Sequence, residues 1–337
     1  MHKRRRRHPS PYRRTKPRRY RLYALFIGIL SASVSLILFE TISASRSAST
    51  TAQSSQEHDN GNATTQARKF PPNPSVLPGE MRQLSLVTAA GTERQYYVSV
   101  PTHYDLHSPK KTPVFFVLHG WKSTPKTFVE GDIFKGNAGQ EALIVLPLGI
   151  DESWASAPYS VTTVDEDISF LHQILSQLAG EYNVDNERIY AAGLSNGGGL
   201  VAQLGCRDTQ TFAAIATVSA AYYQYNPADC TPEGIPALAV HGTDDDVIHY
   251  NGGRRHGDDY FSVEEIADMY AERNKCRMDE FWQEKLNERD IAFTYDGCQH
   301  DTALLKIIGG KHEWPQYAGE TEYIWEFLSK QRLAKRA

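Results

Sequence analysis

The chain has 337 residues, with 36 Lys or Arg against 40 Asp or Glu and a net charge of −4. That balance excludes a chain that is basic throughout, and a 40 % hydrophobic content excludes one too polar to bury a core. The charge is unevenly placed: residues 1–21 hold 11 basic residues and no acid, which leaves 25 basic against 40 acidic residues, or −15, in the remainder.

Leu22 to Phe39 follows as 18 residues without a charge. As a helix it reaches about 27 Å, just enough for a bilayer core. Positive charge before such a run keeps the tail inside and sends the bulk of the chain across. The expected order is therefore a basic cytoplasmic tail (1–21), a transmembrane signal anchor (22–39), a Ser/Thr/Pro-rich stalk (40–78) and one large domain (79–337). A nucleic-acid-binding arm is the rival reading of the tail, set aside because the apolar run follows directly. A cleaved signal peptide is the rival reading of the run, since Ser43-Ala44-Ser45 and Ala44-Ser45-Arg46 offer small residues behind it. Either route leads to secretion or to a lumenal domain. Asn62-Ala63-Thr64 is a glycosylation sequon in the stalk.

Within the domain, Gln83–Thr88 and Arg94–Val100 read as a strand hairpin. Val114–His119 and Ala142–Pro147 are continuous apolar runs, as strands buried on both faces should be. Asp165–Tyr182 carries Ile168, Leu171, Ile174, Leu175 and Leu178 at amphipathic-helix spacing. Arg188–Ala192 reads as a strand and Gly198–Leu204 as helix. Strands are expected at Ala213–Ser219, Ala237–His241 and Leu304–Ile308, and helices at Val263–Asn274 and Glu320–Lys330. Buried strands alternating with helices predict a mainly parallel sheet covered on both faces, with chemistry just beyond the strand ends.

Three of those ends carry a coherent set. Gly193-Leu194-Ser195-Asn196-Gly197 is a G-x-S-x-G pentapeptide between a strand and a helix, the context of a nucleophile elbow. A serine hydroxyl needs a base within reach. His312, in the Gly-rich loop after the last strand, is the expected base; His300 precedes that strand and lies at the wrong end. The acid should follow Ala237–His241, where Asp244, Asp245 and Asp246 stand in a row. The spacing from Gly242 selects Asp245. Oxyanion donors are expected from the amides of Asn196 and Trp121. Trp154, and Tyr222, Tyr223 and Tyr225, follow strands and could wall a pocket, as could Trp314. Cys206, Cys230, Cys276 and Cys298 form no C-x-x-C, so no metal site is expected. Nearest-neighbour pairing, Cys206–Cys230 and Cys276–Cys298, is one of three arrangements and closes loops of about 20–25 residues.

Over roughly 80–335 the chain resembles the esterases that group feruloyl esterases with polyhydroxybutyrate depolymerases. The resemblance rests on His119-Gly120, Glu181-Tyr182-Asn183-Val184-Asp185, Gly193 to Gly198, Phe212 to Ala216, His241-Gly242-Thr243-x-Asp245 with Tyr250 to Gly253, and Gly309-Gly310-x-His312-x-Trp314-Pro315. It implies an α/β-hydrolase fold, a Ser195–His312–Asp245 triad, no cofactor, and a hydroxycinnamoyl ester of arabinoxylan as substrate. The cysteine placement is similar to that of secreted fungal feruloyl esterases. Lys311 stands where the family has a third glycine, Gln316 where it has a last one, and Ile248-His249-Tyr250 replaces V-P-Y. These departures bear on substrate rather than on chemistry. A polyester or short-acyl esterase is the rival within the class, and a non-catalytic membrane-tethered binding module the rival outside it.

Overall fold

The continuous apolar runs become neighbouring strands. A computed structural model describes residues 4–7, 74–130, 136–223, 225–315, 317 and 319–333. The strands are β1 (Arg4–Arg7), β2 (Met81–Val87), β3 (Glu93–Ser99), β4 (Thr112–Leu118), β5 (Leu143–Pro147), β6 (Val184–Leu194) and β7 (Ala214–Val218). They continue as β8 (Ala237–Gly242), β9 (Gly253–Arg255), β10 (Asp258–Tyr260), β11 (Arg277–Lys285), β12 (Asp290–Asp296) and β13 (Thr302–Ile307). The helices are α1 (Lys126–Glu130), α2 (Asn137–Glu141), α3 (Val164–Glu181), α4 (Asn196–Arg207), α5 (Val263–Arg273) and α6 (Glu320–Ser329).

One sheet runs in the order β1-β11-β12-β13-β8-β7-β6-β4-β5-β3-β2, and β9 and β10 form a separate hairpin. From β13 to β5 the neighbours are parallel; both flanks are antiparallel. The parallel strands are mostly buried because helices cover both faces. Along β4, Val114, Phe116 and Leu118 enter one core with α3, α4 and α5. Phe115 and Val117 enter the other with α1, α2 and α6. Alternate side chains of a strand point to opposite faces, so one run supplies two cores. This is the α/β-hydrolase arrangement expected from the sequence.

Helix starts are fixed locally. Thr163 caps α3 and Ser262 caps α5, each with a reciprocal glutamate three residues on, Glu166 and Glu265. Both satisfy amide donors that the helix leaves open. The two disulfides pair as expected, Cys206–Cys230 and Cys276–Cys298.

Two boundaries shift. The domain begins before residue 79: Val76 is buried, its N–H donates to Tyr182 Oη, and the Ser75 hydroxyl donates to Glu181. Arg4–Arg7, expected within the basic cytoplasmic tail, pairs antiparallel with β11. An exposed strand edge offers open backbone groups to any extended segment. The expected membrane span 22–39, the remaining stalk and the Asn62 sequon lie outside the described residues. Among the described residues no helix is long and apolar enough to cross a membrane.

Candidate active site

Ser195 sits between β6 and α4 with φ 56° and ψ −117°, a conformation that L-residues rarely adopt. The flanking glycines make it attainable. A Cβ on Gly193 would lie 2.5 Å from the Gly197 carbonyl, and one on Gly197 2.5 Å from the Leu118 and His119 carbonyls. The Ser195 N–H donates to Val218 O at 2.8 Å, which ties the elbow to β7. Its hydroxyl takes no part in capping α4.

The acid and the histidine meet across β8 and β13. A Cβ on Gly242 would lie 2.2 Å from Gly310 O, so the two loops approach backbone to backbone. Asp244 N–H donates to Gly310 O, and Thr243 N–H to Ile307 O. His312 Nδ1 then lies 2.8 Å from Asp245 Oδ2. Of the three aspartates, Asp245 is the one whose carboxylate reaches His312. Asp244 accepts from the Thr243 hydroxyl on the exposed turn.

Asp245 is buried and fully coordinated. Its Oδ1 accepts from the amides of Val247 and Ile248 at 2.9 and 2.8 Å. Its Oδ2 faces His312 and, at 3.3 Å, Nε2 of His241. Burial pushes the carboxyl upward, but the two histidines more than offset this and hold it well below the usual carboxylate range. It is thus an anion poised beside the His312 ring, which is only partly exposed. Among the described residues no hydrogen bond yet joins Ser195 Oγ to His312. In unliganded sites such contacts are commonly long and tighten on substrate binding.

The opposite side of Ser195 is built from neutral, buried groups. His119 ends the β4 segment with its ring fixed in one tautomer. Nε2 accepts from the Gly149 N–H at 3.0 Å, so Nδ1 carries the hydrogen and donates to Gly120 O at 2.8 Å. Burial pulls its pKa down to about 4, with Arg94 adding to the shift. The braced Gly120 lies against Ser195: a Cβ there would be 3.4 Å from Ser195 Cβ. Trp121 follows. Among the described residues neither the Trp121 nor the Asn196 amide donates to a protein acceptor.

Three expectations about pocket walls are corrected. Trp154 is fully buried and donates from Nε1 to His119 O at 3.0 Å. Its backbone N–H donates to Asn196 Oδ1 at 2.7 Å, and its carbonyl accepts from Asn196 Nδ2 at 3.0 Å. The indole is therefore a brace under the strand end. Trp314 is also buried, donating to the Thr321 hydroxyl and packing edge-on to Phe128 at 5.3 Å. Tyr222, Tyr223 and Tyr225 are buried as well. Position after a strand was right for all of them, but their rings turn inward, where apolar area is removed from water.

Sequence reasoning missed the aromatic group beside Gly120. Trp121 stacks on Tyr159 with centroids 4.4 Å apart, and His256 meets both rings edge-on at 4.9 and 4.8 Å. His256 sits at the tip of the β9–β10 hairpin, and Lys122 Nζ lies 4.5 Å from the Trp121 ring. No sequence signal foretold this, because the three residues come from unrelated loops.

The fold and this constellation define an α/β-hydrolase of the serine-esterase kind. No family model matches the chain. It is 26 % identical to feruloyl esterase C of Emericella nidulans, over 70 % of this chain and 83 % of that one. It is 25 % identical to feruloyl esterase D of Neurospora crassa, over 71 % and 83 %. A putative esterase, NocK, of Nocardia uniformis is 27 % identical over 67 % and 75 %. In fold it is similar to an acetyl xylan esterase from Aspergillus awamori, with TM-score 0.52 and 13 % identity, covering 74 % of this chain and all of that one. A thermostable esterase matches with TM-score 0.53 and 17 % identity, over 75 % of this chain but only 63 % of that esterase. The chain is a carboxylic ester hydrolase, similar in sequence to the feruloyl esterases.

Proposed function

We propose that the chain cleaves carboxylic esters through a covalent acyl-enzyme on Ser195. The observation that carries this reading is the 2.8 Å contact of His312 with buried Asp245, on loops at the ends of β13 and β8, in the same parallel sheet whose β6 ends in the strained Ser195 elbow. In the mechanism, His312 Nε2 takes the Ser195 proton as Oγ attacks the ester carbonyl, and the charged ring is stabilised by Asp245. The Trp121 and Asn196 amides receive the oxyanion, each worth about 3 kcal/mol in such sites. His312 then protonates the departing alcohol, and water enters to release the acid.

The substrate we infer is a hydroxycinnamoyl ester of plant arabinoxylan. The likeness to feruloyl esterases C and D supports it, as does the aromatic Trp121–Tyr159–His256 group, which begins at the residue after Gly120. Two paired disulfides support export to an oxidising compartment. The Ser195→Ala variant tests the mechanism. Hydrolysis of methyl ferulate and of p-nitrophenyl acetate is expected to fall by about 10⁴-fold or more; a variant with more than a tenth of normal turnover would refute it. A rate on a hydroxybutyrate oligomer above that on methyl ferulate would redirect the substrate to polyesters.

A further inference from the structure

Asp245 has a second histidine that the mechanism above does not use. His241, on β8, is 1 % exposed. Its Nε2 lies 2.8 Å from Ile248 O and 3.3 Å from Asp245 Oδ2. The Ile248 carbonyl can only accept, so Nε2 carries the ring's hydrogen and donates it there, with Asp245 Oδ2 as the next nearest acceptor. Nδ1 is buried and, among the described residues, has no hydrogen-bond partner. A second proton there would meet no acceptor, which fits a neutral ring.

We propose that His241 is a positioning residue for the triad: its Nε2–H closes the Asp245–Ile248 turn and occupies one lone pair of the oxygen that faces His312. The proposal rests on the triad reading above. It has two consequences. The carboxylate accepts from Val247 N and Ile248 N and meets His312 at 2.8 Å, and His241 Nε2 at 3.3 Å backs the oxygen that faces His312. The N–H also draws off part of the carboxylate charge that faces His312.

The ionisable groups around His241 come from three elements. Lys306 of β13 is its register partner, and Tyr250 lies edge-on at 5.9 Å. Glu264 of α5 accepts from the Tyr250 hydroxyl and pairs with Lys306 at 3.6 Å. On the acid loop, Asp245 and His249 complete the set, His249 through Nδ1 at 3.1 Å from Asp245 O. Ser219, just after β7, carries no charge.

The test compares His241→Leu, His241→Gln and His241→Asn in the full chain, on p-nitrophenyl acetate across pH 5–9. Gln can place an N–H where Nε2 stands; Asn is too short, and Leu has no donor. For Leu and Asn, kcat is expected to fall about 10-fold with KM within about 2-fold, and the acidic limb of kcat/KM to move up by about half a pH unit or more. Gln is expected to restore both most of the way. An acidic limb unmoved in Asn, or a Gln variant no better than Asn, would overturn the proposal, and Asn against Gln suffices if Leu does not fold. Ser195→Ala and His312→Ala separate the two readings. If they abolish turnover while the His241 variants keep the normal limb, only the positioning role fails; if they retain turnover, the triad itself fails.

Discussion

The two sides of Ser195 are built by different physics. On the β4–β5 side, His119, Trp154 and Asn196 are buried, neutral and joined by hydrogen bonds of 2.7–3.0 Å. They hold backbone amides in place and carry no charge. On the β8–β13 side, Asp245 is a buried anion whose value depends on its donors. One side supplies geometry, and errors there should cost stability and rate without moving the pH profile. The other supplies charge, and errors there should move the profile.

The strongest way to break this contrast is at Asp245. Asp245→Asn keeps the shape but lets the His312 ring adopt the wrong tautomer, and kcat should fall about 10³–10⁴-fold with little loss of thermal stability. Steady-state kinetics beside a melting curve check this; a loss below 10-fold would remove the charge side from the account.

On the geometric side the foundation is the buried pair Arg94–Asp167, at 2.7 Å. Asp167 also accepts from the Ala155 N–H at 2.9 Å and the Thr162 hydroxyl at 3.0 Å, which pins the Trp154 loop. Asp167→Ala leaves the Arg94 charge buried without a partner, at a cost of about 3–5 kcal/mol. Tm should drop by about 10 °C, while the acidic limb of kcat/KM stays where it is. A shifted limb with an unchanged Tm would invert the contrast.

The smallest effect is expected away from both sides. Glu320 and Asp290 are buried together, each with an oxygen that has no hydrogen-bond partner among the described residues. Burial first, and then the Asp290 charge, push Glu320 from 4.5 up to about 7. A carboxyl raised on folding stabilises while it is protonated. Its contribution is full below about pH 4.5 and is lost as pH rises through about 7. Glu320→Gln stays neutral, so it should raise Tm at pH 8 by a few degrees, from about 2 kcal/mol, and leave Tm at pH 4.5 unchanged. Thermal scans at the two pH values decide it; an equal shift at both would remove the linkage.

What could be read from the sequence follows the same physics. The parallel strands announced themselves because burial on both faces leaves no polar positions, as in Val114–Leu118 and Leu143–Pro147. The β11–β12 ribbon did not. It lies toward the sheet margin, and Arg277–Lys285 is exposed or half-buried along its whole length, so no alternation marks it. The 2.8 Å contact of His312 with Asp245 could be anticipated because each residue follows its strand, β13 and β8, and those strands are neighbours. His119 and His241 were not read as parts of the machinery, since their partners are the backbone of Gly149, Gly120 and Ile248, and no spacing marks such contacts. Trp154 and Trp314 show the converse: sequence gives the place of a residue along the sheet, but packing decides which way its ring points.

The central claim is that Ser195 is made nucleophilic by the charge side of the site. Labelling with a fluorophosphonate probe, followed by peptide mass mapping, tests it most directly. The account predicts a single adduct on the peptide that holds Ser195, formed at least about 100-fold more slowly in Asp245→Asn and not detectably in His312→Ala. Labelling of another serine, or equal labelling rates in folded wild type and both variants, would contradict it.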